Sequence, residues 1–171
     1  YALSKWASEA YARRAQAAGL PGAIYRPGML SGHSATGVGS PGSFPERYVR
    51  GCLQLGRAAA SEGVCDLTPV DHAARVIVAM VLKGPGHRGP HHVYSPRSPS
   101  YTALAGLMGL PAVPPEELLG LVGPGNALAP LLPLLRMFLP SAADWGDASV
   151  REVLGDLYKP PAVDAALVGL Y

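Results

Sequence analysis

Val64-Cys65-Asp66-Leu67-Thr68-Pro69-Val70-Asp71 reads as a strand running straight into a helix, and this junction decides the fold class. Residues 64–67 make a short apolar strand. Thr68 offers an N-cap hydroxyl, Pro69 suits the first helical position, and Asp71 can reach back as in a capping box. The helix continues through Val76, Ile77, Met80 and Val81 to Lys83, where Gly84-Pro85-Gly86 stops it. His91-His92-Val93-Tyr94 is the next strand, closed by Ser95-Pro96.

Upstream the same alternation holds. Residues 1–18 contain neither Gly nor Pro and predict a helix, with Gly19 as its C-cap and Pro21 as terminator. Gly22-Ala23-Ile24-Tyr25-Arg26-Pro27 reads as a strand ending at a proline. Residues 28–43, rich in Gly and Ser, predict loop. A helix is expected over 45–56, with Tyr48, Cys52, Leu53 and Leu55 as its buried stripe. Three helix–strand alternations within 96 residues imply a parallel α/β layer structure. Beyond residue 100 the pattern is helical, broken near 111–115, 123–126 and 140–147.

With 49% apolar and 15% charged residues, the 171-residue chain can bury a core and does not read as disordered. The net charge of +2 comes from scattered residues, which argues against a nucleic-acid footprint. The most apolar stretch, 127–139, is interrupted by Pro130, Pro133 and Arg136, so no membrane span is expected. Cys52 and Cys65 are too few for a disulfide framework and imply a reduced, cytoplasmic setting.

Tyr1-Ala2-Leu3-Ser4-Lys5 has the spacing Y-x-x-x-K on a predicted helix, which stacks the two side chains on one face. An ammonium beside a phenol favours the phenolate and lowers the tyrosine's pKa. A tyrosine tuned in this way can give a proton to a carbonyl oxygen while hydride arrives at the carbon. Lys5 could also hold the ribose of a nicotinamide cofactor. The plain alternative is a surface pair at a helix start.

Further blocks stand in order along the chain. They are Tyr25-Arg26-Pro27-Gly28, Ser31-Gly32-His33-Ser34-Ala35-Thr36-Gly37, Gly51-Cys52-Leu53-Gln54-Leu55-Gly56 and Asp66-Leu67-Thr68-Pro69-Val70-Asp71. With Tyr1 to Trp6 they resemble the thioester reductase domains that end some nonribosomal peptide and polyketide synthetases. Those domains are extended short-chain dehydrogenase/reductases related to carboxylic acid and fatty acyl-CoA reductases. The resemblance is strong over 1–96, weak over 97–155, and returns over 159–171.

It implies the C-terminal part of a Rossmann-like, doubly wound parallel sheet (1–96) with a mostly helical substrate-binding or lid region (97–171). It also implies NADPH-dependent reduction of an acyl or peptidyl thioester, carried on the phosphopantetheine arm of a carrier protein, to aldehyde or alcohol. Tyr1 would be the proton donor and Lys5 its partner and ribose ligand. Pro27, Gly28, Met29 and Leu30 would pack on the nicotinamide and offer backbone groups to its carboxamide. The glycine-rich phosphate turn and a substrate-binding Ser or Thr are expected upstream of Tyr1, so the chain alone is expected to be inactive and weakly folded.

Some features invite other readings. Gly37-Val38-Gly39-Ser40-Pro41-Gly42 fits G-x-G-x-x-G but has no preceding strand and carries a proline, so it is expected to be a mobile loop beside the substrate. His87, His91 and His92 cluster in sequence, but neighbours on a strand point to opposite faces, and no metal site is expected. Thr68-Pro69-Val70-Asp71 is read as a cap rather than as catalytic. Ser95 stands where the family often has Asn. Two rivals remain: another extended dehydrogenase of epimerase or hydroxysteroid type, and a non-catalytic remnant that docks a carrier or acyl chain.

Overall fold

A computed structural model describes residues 2–84, 88–141 and 146–171. Helix α1 (Ala2–Ala17) ends as expected: Gly19 takes φ +96°, its N–H donates to Gln16 O, and Leu20 N–H reaches back to Ala15 O. Strand β1 (Ile24–Pro27) follows, then a two-residue strand β2 (Leu30–Ser31) inside the stretch read as loop. Helix α2 (Phe44–Leu55) is capped by Ser43 Oγ, which accepts from Glu46 N–H, and closes on Gly56 at φ +66°. Its buried side chains form a stripe of Pro45, Tyr48, Val49 and Cys52, with Gly51 also buried beside it, while Leu53 is 55% exposed. These four positions follow the i, i+3, i+4, i+7 rule, and Leu53 lies a further 100° round the helix.

Next come β3 (Ala58–Ala59), β4 (Thr68–Pro69), helix α3 (Val70–Leu82) and strand β5 (Pro90–Val93). The junction at 64–71 differs from its sequence reading. Residues 64–67 form no strand: Val64 makes one antiparallel bridge to Ser100, and Cys65 N–H and Leu67 N–H donate to Pro99 O and Ser98 Oγ. The strand is shifted to Thr68–Pro69, and Pro69, not Thr68, precedes the helix without a side-chain cap. Thr68 and Asp71 have other partners, described below. On α3, Val76 and Met80 are buried as expected, but Val81 is 59% exposed.

The remainder holds α4 (Tyr101–Leu107), strand β6 (Ala112–Val113), α5 (Pro115–Leu121), α6 (Leu132–Phe138), α7 (Ala148–Leu154) and α8 (Ala165–Val168). Among the described residues every strand pairing is parallel: β1 with β5, β2 with β4, and β3 with β6. The architecture is α/β, as the alternation implied. One apolar cluster joins Tyr48 and Cys52 of α2 to Tyr101, Leu104, Leu118 and Leu135. A second packs Val76 and Met80 of α3 with Val93 of β5 and Val150 and Leu154 of α7. Helix α1 buries none of its residues. Among the described residues no helix is long and apolar enough to cross a membrane.

Candidate active site

Parallel β1 and β5 pair Arg26 with His92 and Pro27 with Val93, and the chain leaves β1 at a proline. Ligand sites in open α/β structures form beyond the carboxyl ends of strands. A cavity of about 630 Å³ opens there, with Arg26, Pro27, Gly28 and Met29 on one side and Val64, Met137 and Phe138 among its other lining residues. Asp66, His92, Tyr94 and Ser141 complete the lining.

The segment 27–29 forms a ledge held from beneath. Gly28 N–H donates to Val93 O (2.9 Å), Met29 N–H to Asp66 Oδ2 (2.8 Å), and Thr68 N–H to Met29 O (3.1 Å). Thr68 Oγ1 donates to Asp66 Oδ1 (2.6 Å) and accepts from Ser95 N–H (2.8 Å). Burial pushes the Asp66 carboxyl up, opposed by the bonds from Thr68 and Met29. A Cβ on Gly28 would overlap the Asp66 carboxylate, so only glycine allows the ledge to close this tightly. Three backbone groups of the ledge therefore point inward, and a bound carboxamide would have to use others.

Helix α1 meets this ledge through charge. Glu9 binds Arg26 with both oxygens, Nε to Oε2 at 2.9 Å and Nη2 to Oε1 at 2.6 Å, and also pairs with Arg13. Arg26, with Arg13, holds the Glu9 carboxyl at about 2. Arg26 Nη1 lies 3.4 Å from His92 Nε2, and burial, with Arg26 nearby, lowers the His92 pKa. Glu9 stands one turn beyond Lys5, so the pair seats the helix face that carries Lys5.

Of the residues expected at the site, Pro27, Gly28 and Met29 line the cavity. Leu30 enters β2 instead, and Lys5, exposed on α1, is not among the lining residues. Tyr1 lies outside the described residues, as does His87. Pro27 and Met29 in the lining, the missing Cβ of Gly28 and a cavity within the usual range for small-molecule sites suit a nicotinamide ring.

Sequence reasoning passed over Glu9, Asp66, Met137 and Phe138. Glu9 carried a signal, four residues after Lys5, and Asp66 was an isolated carboxylate beside apolar neighbours. Met137 and Phe138 carried none.

Asp71, read as a capping residue, fastens the loop after β2. It accepts from Ser34 N–H and Ser34 Oγ (both 2.8 Å) and pairs with Arg75 at 2.7 Å. Burial alone would push its carboxyl up; the Ser34 and Arg75 bonds overcome this and hold it at about 2. The Tyr171 hydroxyl donates to Gly32 O and lies 2.9 Å from Ser31 Oγ. The glycine motif at 37–42 begins in this fastened loop and does not line the cavity. A Cβ on Gly37, at φ +69°, would strike the Leu170 carbonyl. Among the described residues no group of three or more His, Cys, Asp or Glu could hold a metal.

Residues 1–77 match the NAD-binding family described as Male sterility protein. L-2-aminoadipate reductase of Saccharomyces cerevisiae is 45% identical over 85 residues, which are 50% of this chain and 6% of that protein. The terminal R domain from the myxalamid PKS-NRPS biosynthetic pathway superposes with a TM-score of 0.83 at 29% identity, over 100% of this chain and 48% of that one. A thiolation-reductase di-domain from an archaeal non-ribosomal peptide synthetase shares the fold, with a TM-score of 0.64 at 18% identity over 92% of this chain and 36% of that one. The chain thus spans about half of the R domain and a small part of the yeast enzyme.

Proposed function

We propose, from a chain that belongs over residues 1–77 to the NAD-binding family described as Male sterility protein, that it serves NADPH-dependent reduction of an acyl thioester to an aldehyde or alcohol. The observation that carries this reading is the ledge at 27–29, locked under a cavity at the carboxyl ends of β1 and β5. In this reading residues 1–96 belong to the reductase core and 97–171 to the substrate side.

Bound on the ledge, a reduced nicotinamide would supply hydride to the thioester carbonyl carbon. Tyr1 gives its phenolic proton to the carbonyl oxygen, and Lys5, four positions on in the sequence, favours the phenolate that remains. Uptake of one hydride and one proton leaves a hemithioacetal, which collapses to aldehyde and free thiol. Gly28 and Met29 keep the ring surface in place, and Asp66 keeps Gly28 and Met29 in place. The acyl donor is a phosphopantetheine thioester on a carrier protein, a reading supported by the synthetase setting of the structural relatives. A reduced, cytoplasmic setting suits the buried thiols, since burial holds Cys52 at about 12 and also pushes Cys65 up.

The test is NADPH consumption by the intact protein with an acyl-pantetheine thioester. Tyr1→Phe is expected to lower kcat by about 100-fold or more while leaving NADPH binding within a few-fold. Unchanged turnover in Tyr1→Phe would reject the reading, and turnover of a nucleotide sugar instead would favour an epimerase-type enzyme.

A further inference from the structure

The cavity has a second wall that the reduction chemistry does not use. Val64 and the end of α6, Met137 and Phe138, line it together with the ledge. Phe138 is fixed edge-on against Phe44, with ring centroids 5.2 Å apart at 89°. Met137 is 57% exposed, so its thioether is open to a ligand.

The charges around the cavity are committed elsewhere. Arg26 is the one Lys or Arg among the described lining residues, and Glu9 takes it with both carboxylate oxygens. Asp66 is 6% exposed and occupied by Met29 N–H and the Thr68 hydroxyl. His92 sits against the Arg26 guanidinium, and that neighbour together with burial favours its neutral form. A carboxylate entering this space would meet one anion and no uncommitted Lys or Arg among the described lining residues, and it would lose its hydration.

Resting on the thioester-reductase reading, we propose that this wall selects the acyl group: the substrate is an apolar, uncharged acyl thioester lying against Val64, Met137 and Phe138, and acyl chains ending in a carboxylate are rejected. Met137 and Phe138, at the end of α6, lie beyond residue 77, where the match to the NAD-binding family ends, so this part of the wall can vary independently of the ledge.

The experiment compares hexanoyl- and adipoyl-pantetheine, equal in chain length and differing by a terminal carboxylate, as substrates of the intact protein. The expected kcat/KM ratio favours hexanoyl by at least about tenfold. Met137→Arg places a cation at an exposed position and is expected to cut that ratio about tenfold or more, through KM, while Met137→Leu keeps it. Equal use of both thioesters by the parent protein overturns the inference and leaves the reductase reading standing. A ratio unchanged in Met137→Arg overturns the assignment of the wall. Reduction of neither thioester overturns the reductase reading, and the inference with it.

Discussion

Around α2, α4, α5 and α6 the chain buries Tyr48, Tyr101, Leu104, Leu118 and Leu135 without exposure, and apolar contact holds those elements together. Around the cavity and in the loop after β2 the ties are carboxylates: Glu9 on Arg26 and Asp66 on Met29 and Thr68 at the cavity, Asp71 on Ser34 in the loop. Apolar burial is roughly proportional to area and indifferent to direction, so it fixes volume well and orientation loosely. Hydrogen bonds to charged groups are short and directional. In the proposed reading a ledge that holds a ring needs orientation more than volume. Helix α1 is the extreme case, since it buries nothing and still meets β1 through a two-point ion pair.

If that contrast is right, Leu104→Ala should be the most damaging change to stability. Loss of a fully buried leucine in the apolar cluster is expected to cost about 2–5 kcal/mol, measured by denaturant unfolding, with little change in the cavity. Gly28→Ala sharpens the other side. Its Cβ would overlap the Asp66 carboxylate, so the ledge must shift at a cost of about 1–3 kcal/mol. Unlike Leu104→Ala it should raise the NADPH KM clearly, and a normal KM would separate the ledge from cofactor binding.

Glu9→Gln should have the smallest effect on stability, because its ion pairs are partly solvated. Its pH dependence is the useful readout. The Glu9 carboxyl is lowered from 4.5 to about 2, so its stabilisation is complete above 4.5 and fades as pH falls toward 2. Unfolding of parent and Glu9→Gln should converge over that window. A gap that widened in acid would contradict the ion pair.

Legibility followed length and periodicity. The 16-residue α1 with its glycine stop, the 12-residue α2, α3 and β5 all stand close to where the pattern placed them. The two-residue strands β2, β3 and β6 had no period to read. The junction at 64–71 misled because its polar residues had two outlets. Thr68 and Asp71 suit a local cap, yet Asp66, two residues before Thr68, and Ser95 and Ser34, brought close only by the fold, satisfied them instead.

What the amino-acid order determined by itself was therefore the α/β alternation, the helix α1 with its glycine stop and the strand end at Pro27-Gly28, since each depends on neighbours a few positions away. Tertiary structure alone decided that Glu9 meets Arg26, that Asp66 carries the ledge, and that Met137 and Phe138 line the same cavity as the ledge. Those partners lie 17, 37 and more than 100 positions apart along the chain, beyond the reach of any local preference of the backbone.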